Sequence, residues 1–218
     1  MISIFSLEKN EIEKLLAGKV VVRIEGKNLD YLLYGDDEKI LDALGEYRAY
    51  VYSISGKSLV DTFCDIVKEY EIKFSVAESL TGGMIADRII AVPGISDYMK
   101  EGIVCYSNES KHLRLGVDNS LFSTVGAVSE EVAMEMVKGQ TEYGVSLAMS
   151  TTGIAGPTGY SLEKPCGLTY IGTKLFSEIV VNRYVFSGNR QAVREKATNV
   201  CIGNAVVLLM KRLNVELN

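Results

Sequence analysis

The 218-residue sequence holds a single histidine, His112, and only four cysteines, Cys64, Cys105, Cys166 and Cys201, far apart along the chain. No CxxC pair, HxxxH spacing or Cys/His cluster can be assembled from them, so no metal site is expected. The scattered thiols read as reduced and structural. Long apolar runs are also missing. Stretches such as Val200–Met210 are broken by polar residues and fall short of the roughly 18 residues a membrane span needs. Positive charge is in deficit, with 23 Lys and Arg against 28 Asp and Glu. That balance speaks against a nucleic-acid partner, although a compact basic pocket for one phosphate stays open. Glu8, Glu11 and Glu13 crowd the N-terminal region, which has neither the basic start nor the cleavage site of a signal peptide, so a cytoplasmic location is expected.

What is present is an ordinary globular composition, 47% apolar and 23% charged, long enough for one sizeable core and a small appended unit. The first part alternates short elements. Ile2–Phe5 reads as a strand, Leu7–Leu16 as a helix, and Val20–Ile24 and Tyr31–Tyr34 as strands. Asp36–Leu44 reads as a helix with acidic residues at its start, and Tyr47–Ile54 as a strand. The order is βαββαβ, a small α+β unit over residues 1–57 that ends in the turn Ser55-Gly56-Lys57-Ser58.

Residues 58–218 follow a different plan. Leu59–Glu69 is an amphipathic helix, Phe74–Ala77 a buried strand and Met84–Ala91 a helix. Gly102–Tyr106 and Val145–Ser150 are apolar strands, Leu168–Thr173 and Ile179–Phe186 an antiparallel pair, and Arg190–Leu213 a long closing helix. Strands alternating with helices predict a three-layer α/β/α arrangement, and the late pair makes its sheet mixed.

Ligands in such folds collect beyond the carboxyl ends of the strands, and three segments there carry unusual residues. Glu78-Ser79-Leu80-Thr81-Gly82-Gly83 joins a strand to a helix. It can present main-chain N–H groups to an anion or oxyanion, or it can be a capped helix start in which Ser79 or Thr81 satisfies backbone donors. Tyr106-Ser107-Asn108-Glu109-Ser110-Lys111 is either catalytic equipment or a solvated loop with a surface lysine. The segment from Thr151 through Gly156 to Gly167 is a long loop punctuated by glycine and proline, matching neither a Walker loop nor a dinucleotide fingerprint. Ser161–Lys164 fits an SxxK spacing by chance, since Pro165 disfavours the helix that motif requires, and Ser6–Lys9 is another chance match. With histidine so scarce, a Ser–Lys pair is the economical hydrolase design, provided burial or cationic neighbours keep Lys111 partly neutral.

Taken together these segments resemble the C-terminal domain of the competence/damage-inducible protein CinA, the nicotinamide-nucleotide amidohydrolase family. The family's AESCTGG stands here as Ala77–Gly83, VPGSS as Val92–Ser96, and YSNE with its lysine as Tyr106–Glu109 with Lys111. HGAVS is matched by Gly126–Ser129, TGIAGP by Thr152–Pro157, EKPxG by Glu163–Gly167, and the FxGDR ending by Phe186–Arg190 with Arg194. Residues 1–57 more loosely resemble the KH-type unit preceding this domain in long members. They have no GxxG clamp and a surplus of acidic residues, so a spacer or oligomerisation role is expected rather than RNA binding.

The resemblance implies deamidation of nicotinamide mononucleotide to nicotinic acid mononucleotide and ammonia, in pyridine-nucleotide salvage, with no metal or organic cofactor. Ser79 would be the nucleophile, Lys111 the general base and Tyr106 their close partner. Glu78, Thr81, Gly82, Gly83, Asn108, Thr152 and Gly153 would surround the substrate, and Arg190 or Arg194 would suit its phosphate. A homodimer is implied as well. The sequence departs from the family pattern at Leu80 (usually Cys), at Asn189 (usually Asp), at Tyr160 (often Gly) and in the missing histidine before Gly126. Two other readings stay open: an amidase for a related small amide, and a non-catalytic nucleotide-binding or interaction module.

Overall fold

In the computed structural model, which describes residues 1–140 and 144–217, the chain forms two sheets. The first has strand order β2-β3-β1-β4, every neighbouring pair antiparallel. Its strands are β1 (Ile2–Phe5), β2 (Arg23–Lys27), β3 (Asp30–Tyr34) and β4 (Val51–Ser53), with helices α1 (Lys9–Leu16) and α2 (Asp37–Leu44) on one face. Period-two alternation splits β1 between two cores. Ile2 and Ile4 join Ile12, Leu16, Ile40 and Leu44 under the helices, while Phe5 enters the larger core of the second sheet.

The strands expected at Gly102–Tyr106 and Val145–Ser150 are shifted to Met99–Val104 and Leu147–Gly153, and two elements of the first sheet depart further from the expected bounds. The strand after α1 starts at Arg23 rather than Val20, and Val21 is 93% exposed. The two-residue turn Asn28-Leu29, both at positive φ, sets which five residues can pair with β3, whatever the β-branched run before them prefers. The first half of the expected strand Tyr47–Ile54 belongs instead to a 3-10 helix, Gly45–Tyr50, with only Val51–Ser53 extended. Gly45, at φ 55°, turns the chain straight out of α2 and leaves no room to extend earlier.

The second sheet has order β6-β5-β7-β8-β9 and is mixed. β5 (Phe74–Glu78) runs parallel to β6 (Met99–Val104) and β7 (Leu147–Gly153), while β8 (Leu168–Leu175) and β9 (Glu178–Val185) complete it antiparallel. Helices α3 (Leu59–Glu69), α4 (Met84–Ile90) and α8 (Arg190–Leu213) cover one face. Helices α5 (Asn108–Leu115), α6 (Asn119–Thr124) and α7 (Glu130–Lys138) cover the other. Large side chains on β5 and β7 (Phe74, Val76, Met149) meet α3 and α8. The opposite face is built from small residues. Ser150 donates to Ala133 O at 2.9 Å, and a Cβ on Gly172 would strike that same carbonyl. Among the described residues no helix is long and apolar enough to cross a membrane.

The chain leaves β5 toward one face, through α4, and leaves β6 toward the other, through α5. Such a switch point opens a crevice at the carboxyl ends of the two strands, and that is where the candidate site lies.

Helix α8 also joins the two sheets. Phe5 packs edge-on against Tyr50, ring centroids 5.6 Å apart, and its ring lies so close to α8 that a Cβ on Gly203 would fall 2.3 Å from it. Gly203→Ala should therefore lower stability despite a helix-propensity gain of about 1 kcal/mol. Overpacking against a buried ring costs about 1–3 kcal/mol. Urea denaturation gives the sign, and a variant more stable than wild type would show that Phe5 is free to move aside.

Candidate active site

Ser79 follows β5 directly, with its main-chain N–H donating to Thr151 O at 3.0 Å and its side chain buried. The turn beyond it is held from below. Glu78, only 1% exposed, accepts hydrogen bonds from the N–H groups of Gly83 (3.0 Å), Ile85 (3.1 Å) and Ala86 (2.9 Å). Its carboxylate thus satisfies the orphan donors at the start of α4 and lies at the positive end of that helix. Gly82 and Gly83 both take positive φ, which lets the chain double back onto Glu78. From the other side, Arg194 of α8 donates through Nε to Leu80 O (3.0 Å) and through a terminal nitrogen to Thr81 O (2.7 Å). The Thr81 and Thr151 hydroxyls meet at 2.8 Å in the buried layer.

Lys111 arrives from the neighbouring strand. Ser107 caps α5, its hydroxyl accepting from Ser110 N–H at 3.0 Å, so the segment Tyr106–Lys111 is a helix start rather than a solvated loop. One turn later Lys111 points inward and is 1% exposed. Its Nζ lies 3.0 Å from Ser79 Oγ, 2.9 Å from Cys105 O and 3.4 Å from Tyr106 O. Among the described residues no carboxylate pairs with it. Burial pulls its pKa below the ordinary lysine value, with nearby Cys105 opposing weakly. The three neighbours suit both forms of the amine: an ammonium donates to all three, and a neutral amine gives its two N–H bonds to the carbonyls and offers its lone pair to the Ser79 hydroxyl.

These groups line a cleft of about 250 Å³ together with Tyr106, Asn108, Thr152, Gly153 and Arg190. Leu80, Ala127, Val128 and Ala155 complete the wall. Thr152 donates to Ala127 O at 2.7 Å, tying β7 to the 125–129 loop. Lys164, without a carboxylate partner among the described residues, donates to Val128 O at 2.7 Å and to Val125 O at 2.5 Å and secures the same loop. Arg190 sits at the mouth, donating to Gly156 O (2.9 Å) and to the Tyr106 hydroxyl (3.1 Å).

The structure thus gathers Ser79, Lys111, Tyr106, Asn108, Thr152, Gly153 and Arg190 around one cleft. Glu78, Thr81, Gly82, Gly83 and Arg194 lie behind the Ser79 turn and shape it without lining the cleft. Ala127, Val128 and Ala155 were not singled out by sequence reasoning; their small or apolar side chains announce no chemistry, although the Gly126–Ser129 and Thr152–Pro157 strings contain them. Asn189 caps α8, its side chain accepting from Ala192 N–H at 3.0 Å. Asn and Asp cap about equally well, so that departure leaves Arg190 in place. Tyr160 is 59% exposed and outside the cleft.

Glu78→Gln should be costly, because a carboxamide keeps one acceptor oxygen and turns its N–H₂ toward at least one of the three donors, which are divided between the two carboxylate oxygens. A loss of about 2–4 kcal/mol is expected in denaturant unfolding. An unchanged midpoint would remove Glu78 from the account of how the turn is held.

Comparison with known proteins matches the chain to one family. A model of the CinA C-terminal domain matches residues 56–209. A CinA-like protein of Kosmotoga olearia is 38% identical over 181 residues, covering 82% of this chain and 43% of the relative. Another from Fusobacterium nucleatum is 37% identical over 196 residues, covering 89% of the chain and 44% of the relative. A match of that length reaches back into the first sheet. The chain spans less than half the length of these curated relatives. Among solved structures, the competence/damage inducible protein CihA from Agrobacterium tumefaciens superposes with a TM-score of 0.67 at 30% identity, covering 69% of this chain and 93% of that one. A CinA superfamily protein from Klebsiella pneumoniae gives a TM-score of 0.67 at 27% identity, with 70% and 96% covered. With its family model matched over most of the length, and that match spanning Ser79, Lys111 and every other cleft residue, the chain belongs to the CinA C-terminal domain family.

Proposed function

We propose that the cleft hydrolyses the carboxamide of nicotinamide mononucleotide, giving the nicotinic acid mononucleotide and ammonia by a Ser–Lys mechanism. The observation that carries this reading is the buried Lys111 amine, 3.0 Å from Ser79 Oγ and paired with no carboxylate among the described residues. A lysine held in that way is a base, because burial without a counter-charge favours its neutral form.

The geometry supports the following steps. Lys111 takes the Ser79 hydroxyl proton as Oγ bonds to the carboxamide carbon. The oxyanion is received by main-chain N–H groups after the nucleophile, of which Leu80 N–H has no hydrogen-bond partner among the described residues. Lys111 then gives its proton to the amide nitrogen, the C–N bond breaks and ammonia leaves. Water, deprotonated by Lys111, attacks the Ser79 ester; the carboxylate departs and Oγ regains its proton.

Arg190 takes the phosphate in this scheme. It makes two hydrogen bonds at the cleft mouth and keeps further N–H donors for an anion. Arg194, committed to the carbonyls of Leu80 and Thr81, is withdrawn from that role. Asn108, Thr152 and Gly153 are left to contact the base and ribose, and pyridine-nucleotide salvage is the setting the reaction serves.

The test is formation of ammonia and nicotinic acid mononucleotide by wild type, Ser79→Ala and Lys111→Ala. Each substitution should lower kcat by about a thousandfold or more. A well-folded wild type that leaves the nucleotide intact would send the search to other small amides, and silence there as well would leave a binding module.

The pH dependence is a second expectation. Lys111 works as a base only when neutral, and its pKa lies below the ordinary lysine value of 10.5. The rate should therefore rise with pH and level off above that depressed pKa. A kcat/KM profile that falls across the alkaline range in which wild type stays folded would contradict a neutral-lysine base.

A further inference from the structure

Helix α8 grips the active-site turns with one side and the first sheet with the other. At about 100° per residue, Arg190 and Arg194 share one face, while Glu195, Lys196, Asn199 and Gly203 fall on the opposite one. Each of these four residues touches the sheet of residues 2–53 or its connections, and Asn199 also accepts from Arg88 of α4 and Glu195 from Gln191 one turn earlier. Glu195 accepts from the Asn28 side chain, and Asn199 Nδ2 donates to Asn28 O at 2.8 Å. Gly203 receives Phe5. Lys196, 7% exposed, pairs with Glu8 at the start of α1 and donates to Ser187 Oγ at 3.0 Å. Ser187 in turn donates to Glu8 at 3.2 Å, closing a three-membered network.

Ser187 stands two residues before Asn189, the cap of α8, and three before Arg190. The network therefore fixes the entry of the chain into the helix that carries Arg190 to Gly156 O and the Tyr106 hydroxyl, and Arg194 to the main chain after Ser79. A buried ammonium can hold such a joint firmly, since Lys196 left unpaired would be a buried charge, whereas Glu8 is 40% exposed and would be partly solvated.

We infer that the N-terminal sheet is a positioning element for the active site, and that Lys196, through Glu8 and Ser187, is the residue by which it sets the first turns of α8. As an account of substrate binding this rests on the function proposed above. As an account of how the Ser79 turn is held, it stands on the contacts alone.

The full chain carries the test, with Lys196→Met, which fills similar space without charge, Glu8→Gln as a second route to the same loss, and Lys196→Arg as the conservative variant. Hydrogen–deuterium exchange should quicken over residues 80–86 and 187–195 in the first two variants and stay unchanged over α5. With nicotinamide mononucleotide as the probe, KM should rise about tenfold while kcat changes by less than about threefold. Lys196→Arg should recover most of both effects. Exchange unchanged in both disrupted variants would overturn the inference whatever the substrate. So would uniform quickening across the whole chain, α5 included, since that reports general loosening. Quickening confined to the two segments, in a protein whose wild type does not hydrolyse the nucleotide, would support the positioning role and count against the proposed substrate instead.

Discussion

An amine buried without a counter-charge is an expensive object, and the second sheet is arranged around keeping one beside a serine. Lys111 reaches its place because α5 starts immediately beyond β6, capped by Ser107, and its first turn carries the side chain back over the strand end. The carbonyls of Cys105 and Tyr106 meet it there. Ser79 is delivered by the adjacent parallel strand, so the pair depends on the β5–β6 register and on helices leaving the two strands toward opposite faces. Once water is excluded, the free-energy cost of burial falls on the charged form alone and is turned into basicity. The same burial that would count as a defect in a structural core is what the proposed reaction uses, since it lowers the pKa of this lysine.

The turn after Ser79 is under as much constraint as Lys111. Glu78 pulls three N–H groups down from beneath, and Arg194 draws two carbonyls toward α8 from the side. A turn held by its carbonyls at residues 80 and 81 and by its N–H groups from residue 83 onward cannot reorient freely, which is the condition for N–H donors preorganised toward an anion. The arginine is placed by α8, and α8 is seated between the two sheets by Phe5, Lys196 and the Asn28-Leu29 turn. Leu29 holds a positive φ that a β-carbon disfavours by roughly 1–2 kcal/mol. Its side chain is buried in the large core, and that burial offsets the strain. A turn that would be marginal in an isolated hairpin is stable because it is docked.

The elements with clean periodicity were legible in advance. Helices α3 and α8, strand β5 and the β8–β9 pair stand where their apolar spacing puts them, and the βαββαβ order of the first sheet is observed. Helices α5, α6 and α7 were not legible, for reasons that differ. In α5 the inward position is Lys111, so the hydrophobic repeat is broken by the residue that matters most. Helix α6, Asn119–Thr124, buries none of its residues fully and so has little to repeat. Helix α7 packs on a face of serine, alanine and glycine, and its own pattern is short. Among the candidate site residues, type and spacing picked out the polar groups but could not sort those that line the cleft from those that brace it. Glu78 and Arg194 carry the chemistry of catalytic residues and are spent on main-chain atoms.

The sequence by itself determined the classes of element, the alternation that requires a layered α/β fold, and a set of polar residues near strand ends, because these follow from periodicities of two and 3.6 and from local turn chemistry. It also limited the choice of base, having one histidine to offer. Tertiary structure alone decided that Lys111 is buried rather than solvated, that it meets Ser79, and that Arg190 faces the cleft while Arg194 does not. Those outcomes depend on which strands become neighbours and on what excludes water from a given atom. Both are properties of contacts between segments that lie dozens of residues apart, and no local pattern encodes them.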